Sequence, residues 1–185
     1  PSPGQGQVVI KNNVIGLNYL DTYFRSGQYP WPNQEKIKIP GSEGVGFVHS
    51  IGQGVTDFKE GDKVSYVTPV GAYAEYALIS AAHAVQIKVE VNDTDVVAST
   101  LKGLTAHYLL HLTFNLQSGM TALVHAAAGG VGQLMGQWGS EIGATMIGTV
   151  GGPDKAIAAK NAGYHHVIDY NDKDFVSEVM NITDN

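Results

Sequence analysis

Thr121-Ala-Leu-Val-His-Ala-Ala-Ala-Gly-Gly-Val-Gly132 decides the fold of the second half of the chain. Thr121 to Ala127 is a short, nearly continuous apolar run, as expected of a buried parallel strand. A glycine-rich turn follows at once. Val131, Leu134, Met135, Trp138 and Ile142 then recur at steps of three, one, three and four, which is one face of a helix, and Gly143 ends it. Strand, tight turn and helix in this order match the context of the dinucleotide fingerprint G-x-G-x-x-G. Its three glycine positions fall on Ala127, Gly129 and Gly132, so the first glycine is replaced by alanine. The second position lets the backbone approach a diphosphate, and the third allows close helix–strand packing. Free N–H groups at the helix start then hold the phosphates. A glycine-rich turn that only packs a helix on a sheet has the same composition. The strand before it and the repeat after it favour a nucleotide.

Downstream the pattern repeats. Ala144 to Val150 is a second apolar strand, Pro153 opens a helix that Gly163 stops, and His166 to Tyr170 is a third strand. Phe175, Val176, Val179 and Met180 predict one more helix. This β-α-β-α-β-α series implies a parallel sheet. Upstream, Asp93 to Leu112 has helical spacing, with Gly103 expected to break it into two helices. Residues 1 to about 90 instead read as short strands and turns. Val8 and Ile10 alternate with Val9 and Lys11, Gly44 to Gly52 and Lys63 to Val67 are strands, and Tyr73 to Ile79 alternates again. That spacing suggests a small barrel-like β domain.

Composition narrows the function. The 11 Lys and Arg against 17 Asp and Glu give a net charge of −6 over 185 residues, and the single arginine is Arg25. Such a chain has no footprint for general nucleic-acid binding. The absence of cysteine excludes disulfides, thiolate catalysis and cysteine-ligated zinc within this stretch. No apolar run approaches the ~18 residues of a membrane helix, so a cytoplasmic location is expected. The 23 glycines require many tight turns or close backbone approaches.

The end of the second strand selects the nucleotide. NAD sites usually place Asp or Glu there to bind the ribose 2′-hydroxyl. Here it reads Thr149-Val-Gly-Gly152, without an acid, and Lys155 follows four residues after Gly151. A lysine attracts a 2′-phosphate, so NADP(H) is preferred, with Asp154 as the contrary charge.

Further segments carry a family resemblance. Gly16-Leu-Asn-Tyr-Leu-Asp-Thr-Tyr-Phe-Arg-Ser-Gly-Gln-Tyr-Pro30, Gly41-Ser-Glu-Gly-Val-Gly46, Gly61-Asp-Lys-Val64, Leu101-Lys-Gly-Leu-Thr-Ala-His-Tyr-Leu-Leu110 and Ala126-Ala-Ala-Gly-Gly-Val-Gly132 occur in this order. Together they resemble quinone oxidoreductases of the zeta-crystallin type, a zinc-free branch of the medium-chain dehydrogenase/reductase superfamily. The resemblance implies an α/β protein with a GroES-like β-rich catalytic domain over residues 1–100. It also implies a Rossmann domain, a doubly wound parallel sheet, over 101–185, with the cofactor in the cleft between them. It places cofactor contacts at Asn18, Thr105, Gly129, Gly130, Val131, Gly132, Gly151, Lys155 and Tyr170. It also implies a homodimer. Family members continue well past this point, so the chain is expected to be a fragment: a partial catalytic domain and the first half of a Rossmann sheet.

Zinc alcohol dehydrogenases of this superfamily have Cys and His where Asn18 and Ser42 stand, and Asn and Ser replace those ligands poorly. His107 and His111 could face one way, yet no third ligand accompanies them. No metal is expected. Hydride delivery to a conjugated acceptor remains reasonable, because the acceptor delocalises the charge. Asn18, Tyr23 and Arg25 are the catalytic candidates: Tyr23 to donate a proton or hydrogen bond, Arg25 to stabilise negative charge, with Asp21 positioning neighbours. The expected activity is NADPH-dependent reduction of a quinone or enone. An enoyl-thioester reductase, or a non-enzymatic crystallin or RNA-binding role, are the alternatives.

Overall fold

The computed structural model describes residues 1–32 and 37–184, and they divide into two compact units, Pro1–Leu101 and Lys102–Asn185. In the first unit five strands, β1 (Gln7–Ile15), β2 (Glu43–Ile51), β3 (Lys63–Val67), β4 (Tyr76–Ser80) and β5 (Ala84–Gln86), form an antiparallel sheet in the order β4-β1-β2-β3-β5. Val8, Ile10, Val48, Val64, Tyr66, Ala72, Ala77 and Ile79 make its core. Val9 is as buried as Val8 and Ile10, so the start of β1 is covered on both faces instead of alternating. Tyr73 precedes β4 and belongs to a turn. The register between β1 and β2 shifts twice, at Val9/Ile10 and at Asn12/Val14, as bulges do. One short helix, α1 (Tyr19–Ser26), follows β1. Its N-cap is Asn18, and it ends because Gly27 takes φ +77°, with its N–H donating to Phe24 O.

Helix α2 (Asp93–His107) carries the chain from one unit into the next. It runs straight through Gly103, contrary to the expected break. Gly103 keeps helical geometry, and with open space around it nothing forces a bend. The change comes later: Tyr108–Thr113 is π-helical, with Phe114 N–H donating to Leu109 O at 3.3 Å.

In the second unit β6 (Thr121–Val124), β7 (Thr145–Val150) and β8 (His166–Asp169) are parallel in the order β6-β7-β8. Leu123 faces Ile147, and Ile147 faces His166. Helices α3 (Gly130–Ile142), α4 (Pro153–Asn161) and α5 (Phe175–Thr183) complete the βα repeat. β6 is shorter than its apolar run, stopping at Val124, and Leu123 is 40% exposed. Among the described residues β6 has a hydrogen-bonded strand on one side only, so its apolar side chains are not all covered.

The buried face of α3 also differs from the periodic one. Gly132, Gly136 and Gly139 are its buried residues, while Trp138 is exposed. A Cβ on Gly136 would come within 2.6 Å of Ala162 O, and one on Gly139 within 2.7 Å of the Met146 methyl. The helix lies so close to the sheet that glycines, not the larger apolar residues, form the contact. Tyr164 fills the space over Gly136, and its Oη donates to Gly132 O at 2.7 Å. Burial pushes this phenol's pKa up, so it stays a donor.

Candidate functional site

The turn between β6 and α3 is built by local backbone geometry. Ala126 has φ +53°, an unusual value for a residue with a Cβ. Gly129 N–H donates to Ala126 O at 2.8 Å, closing the turn, and Gly129 caps α3. Gln133 closes it again, its N–H donating to Gly129 O at 2.8 Å and its Nε2 to Ala128 O at 2.9 Å. The first N–H groups of α3 have no acceptor within the helix and point out of its N-terminus.

Ala127, at the first fingerprint position, is fully buried. Its methyl group occupies room left by Gly148 on β7, where a Cβ would approach the Ala127 Cβ to 2.6 Å. The alanine is therefore matched by a glycine on the neighbouring strand. Gly132, at the third position, cannot carry a Cβ either: it would lie 2.5 Å from Ala126 O and 2.8 Å from Ala127 Cα. Ala127 N–H donates to Thr149 O at 3.0 Å, and the Thr149 hydroxyl pairs with His125 Nδ1 at 2.9 Å. These bonds tie the turn to the end of β7.

A cavity of about 190 Å³ opens there, lined by Ala126, Ala128, Gly129, Val150, Gly151, Lys155 and Tyr170. Four of the sequence-predicted cofactor residues, Gly129, Gly151, Lys155 and Tyr170, thus meet in one place. Among the described residues no acidic side chain lines it. The Tyr170 phenol lies over Gly151, where a Cβ would reach its Oη at 2.5 Å. Gly152 takes φ +121°, which only glycine adopts readily, and releases the chain into α4 with Pro153 first and Lys155 in the opening turn. Gly130, Val131 and Gly132 line a second, wider depression of about 460 Å³, together with Leu109, Leu123 and Met135. Thr105 lies on α2 and lines neither depression.

In the first unit Asn18 is the centre of a buried polar network. Its N–H donates to Asp21 Oδ2 at 2.8 Å and its Nδ2 to Glu43 Oε1 at 2.8 Å. Asp21, 6% exposed, also accepts from the Tyr73 hydroxyl at 2.7 Å and from the Ser42 hydroxyl at 3.4 Å. Burial first, then the bond to Asp21 and its charge, push the Tyr73 pKa up to about 12, so the phenol remains a donor. Glu43, 0% exposed, accepts from Leu101 N–H at 2.8 Å as well. The two positions where a zinc enzyme would place ligands are thus occupied by hydrogen-bonding side chains. Among the described residues, no three His, Cys, Asp or Glu side chains cluster in a way that could hold a metal ion.

The other two catalytic candidates separate. Tyr23 packs its ring edge-on against Tyr19, at 5.4 Å, and beside Tyr29, at 5.2 Å. Arg25 is exposed. Two residues apart on α1, they point about 200° apart around the helix. The structure does not bring Tyr23 and Arg25 together on one side of α1. His107 and His111 do face one way, with ring centroids 5.2 Å apart, and both pack on Trp138.

Three residues escaped the sequence reading as parts of these sites. Glu43 stands inside a glycine-rich strand, where a lone charge is the available signal. Tyr73 and Tyr164 each follow a turn, and only their partners across the fold give them a role.

Residues 4–89 match the alcohol dehydrogenase GroES-like domain. Over 186 residues the chain is 43% identical to a quinone oxidoreductase of Pseudomonas aeruginosa, covering 98% of this chain and 56% of that protein. It is 41% identical over 186 residues to a 2-haloacrylate reductase of a Burkholderia species, with 98% and 56% covered. The crystal structure of Escherichia coli quinone oxidoreductase complexed with NADPH superposes with a TM-score of 0.94 at 40% identity, covering 99% of this chain and 56% of that one. The chain spans about half the length of the curated relatives it matches.

Proposed function

We propose that the complete protein, whose sequence over the length given is similar to quinone oxidoreductases, is an NADPH-dependent reductase of quinones or related conjugated carbonyl compounds, acting without a resident zinc ion. One observation carries the cofactor assignment: Lys155, Tyr170 and Gly151 surround one cavity at the end of β7 that, among the described residues, no acid lines. A 2′-phosphate there meets a cation and no carboxylate. The NADPH complex of the E. coli relative supports the same choice.

NADPH supplies the hydride when bound. The chain's own residues bind and orient it. The first N–H groups of α3 hold the diphosphate, with the positive end of the helix dipole behind them. Glycines at 129, 130 and 132 let the backbone come close. Lys155 pairs with the 2′-phosphate and Tyr170 covers it. Asn18 meets the nicotinamide half. Arg25 stabilises negative charge on the acceptor oxygen, and Tyr23 donates a proton or hydrogen bond if its aromatic contacts yield. With two electrons and two protons delivered, a quinone becomes a hydroquinone. By resemblance the protein works as a homodimer. The similarity to a 2-haloacrylate reductase favours a second acceptor class, an alkene conjugated to a carboxylate.

The test is NADPH oxidation by the complete protein against a panel of quinones, 2-haloacrylate and an enoyl-CoA. Turnover with a quinone supports the proposal. Turnover with an enoyl-CoA alone, or none with any acceptor, overturns it.

A further inference from the structure

We infer that Tyr164 is a positioning residue: through its buried hydroxyl it fixes the first turn of α3, whose N–H groups meet the cofactor diphosphate. This rests on the reading of the turn between β6 and α3 as a diphosphate site. Tyr164 precedes β8 and is 5% exposed. Its Oη donates to Gly132 O at 2.7 Å, across 32 positions of sequence. The other side of that peptide is Gln133 N–H, which donates to Gly129 O at 2.8 Å. A peptide is one rigid plane. The two bonds therefore form a single line from the core to Gly129, the N-cap of α3. Gly130, Val131 and Gly132, whose N–H groups have no acceptor within the helix, lie between its ends.

The helix itself does not need this bond. In the regular α-helical pattern Gly132 O already faces Gly136 N–H, and the hydroxyl takes the second lone pair of the same carbonyl. A buried phenol needs an acceptor of some kind. What is particular to this one is the fit that brings it to Gly132. A Cβ on Gly136 would come within 2.7 Å of Tyr164 Cδ2, and one on Gly148 within 2.8 Å of Cδ1. One edge of the ring therefore rests on the backbone of α3 and the other on that of β7, and the ring has no room to slide. The Ala127 methyl stands over Gly148 as well, so the ring and the first fingerprint residue share one support. A hydroxyl held in this way sets where the first turn of α3 stands relative to the end of β6.

Tyr164→Phe keeps the ring and removes only the hydroxyl. In the complete protein this substitution is expected to raise the dissociation constants of NADPH and NADH by the same factor, about fivefold. The two cofactors share the diphosphate, and one buried hydrogen bond transmits no more than about its own worth. The titrations are made well below the thermal midpoint of the variant, where a loss of stability alone leaves both constants unchanged. Two unchanged constants overturn the proposal and leave Tyr164 a packing residue. Weakening of NADPH alone overturns it too, because the effect then lies at the 2′-phosphate. A wild type that binds neither cofactor overturns the underlying reading of the turn instead, and this inference with it. Should Tyr164→Phe not fold, Gly136→Ala decides, because its added methyl group displaces the same ring. It is expected to weaken both cofactors alike, and a folded Gly136→Ala variant with wild-type constants overturns the proposal.

Discussion

On the proposed reading, Lys155 is the residue on which cofactor choice turns. It shares a cavity with Gly151 and Tyr170, and Asp154 beside it does not line that cavity. One charge-assisted hydrogen bond is worth about 1.5–3 kcal/mol, or roughly ten- to a hundredfold in affinity. Lys155→Ala should therefore weaken NADPH by that factor and NADH little, and the loss should shrink as salt is raised. Dissociation constants for both cofactors at two ionic strengths decide it; equal weakening of the two removes Lys155 from the phosphate site. The absence of an acid after Val150 was legible in the sequence because it is a local feature of one strand end. The meeting of Tyr170 with Gly151 was legible only as a likeness, because those residues are joined by β7–β8 pairing and not by spacing.

The elements show where periodicity misleads. In α3 the regular apolar residues gave the helix its type, but glycines supply its buried face. Adding a methyl group at Gly136 should force apart Ala162 O and the Tyr164 ring, at a cost of about 1–3 kcal/mol that exceeds the gain in helix propensity. Gly103, inside α2 with open space around it, should respond in the opposite way: Gly103→Ala should stabilise by about 1 kcal/mol. Chemical denaturation of both variants checks the pair, and equal signs would show that the close approach of α3 to the sheet is misjudged. Both glycines look alike in sequence. The difference lies in what stands opposite them, 26 residues further on for Gly136 in the case of Ala162 and nothing at all for Gly103.

On the scale of the whole molecule, two carboxylates should govern the response to acid. In the first unit hydrogen bonds from Lys63 and Asn13 hold the Asp93 pKa below its usual value. In the second, Ser177 and Val176 do the same for Asp174, the N-cap of α5. A depressed native pKa means that the stabilisation is complete above the ordinary carboxylate pKa of about 4 and is lost as pH falls below it. Thermal midpoints should therefore hold from neutral pH to about pH 5 and then fall. Asp93→Asn with Asp174→Asn should start lower at neutral pH and fall less steeply; parallel curves would exclude both groups. Extensive chelation should leave reductase activity of the complete protein unchanged, and a stoichiometric zinc ion required for turnover would contradict the metal-free reading. By itself the sequence determined the two-part division of strand patterns, the β-α-β series and the glycine-rich turn before α3, because hydrophobic period and turn chemistry are set by neighbours along the chain. Only the tertiary structure decided that glycines pack α3, that Gly148 admits Ala127, and that Asp21 and Glu43 converge on Asn18. Those contacts join residues far apart in sequence, and their energy comes from distance and burial, which no local pattern records.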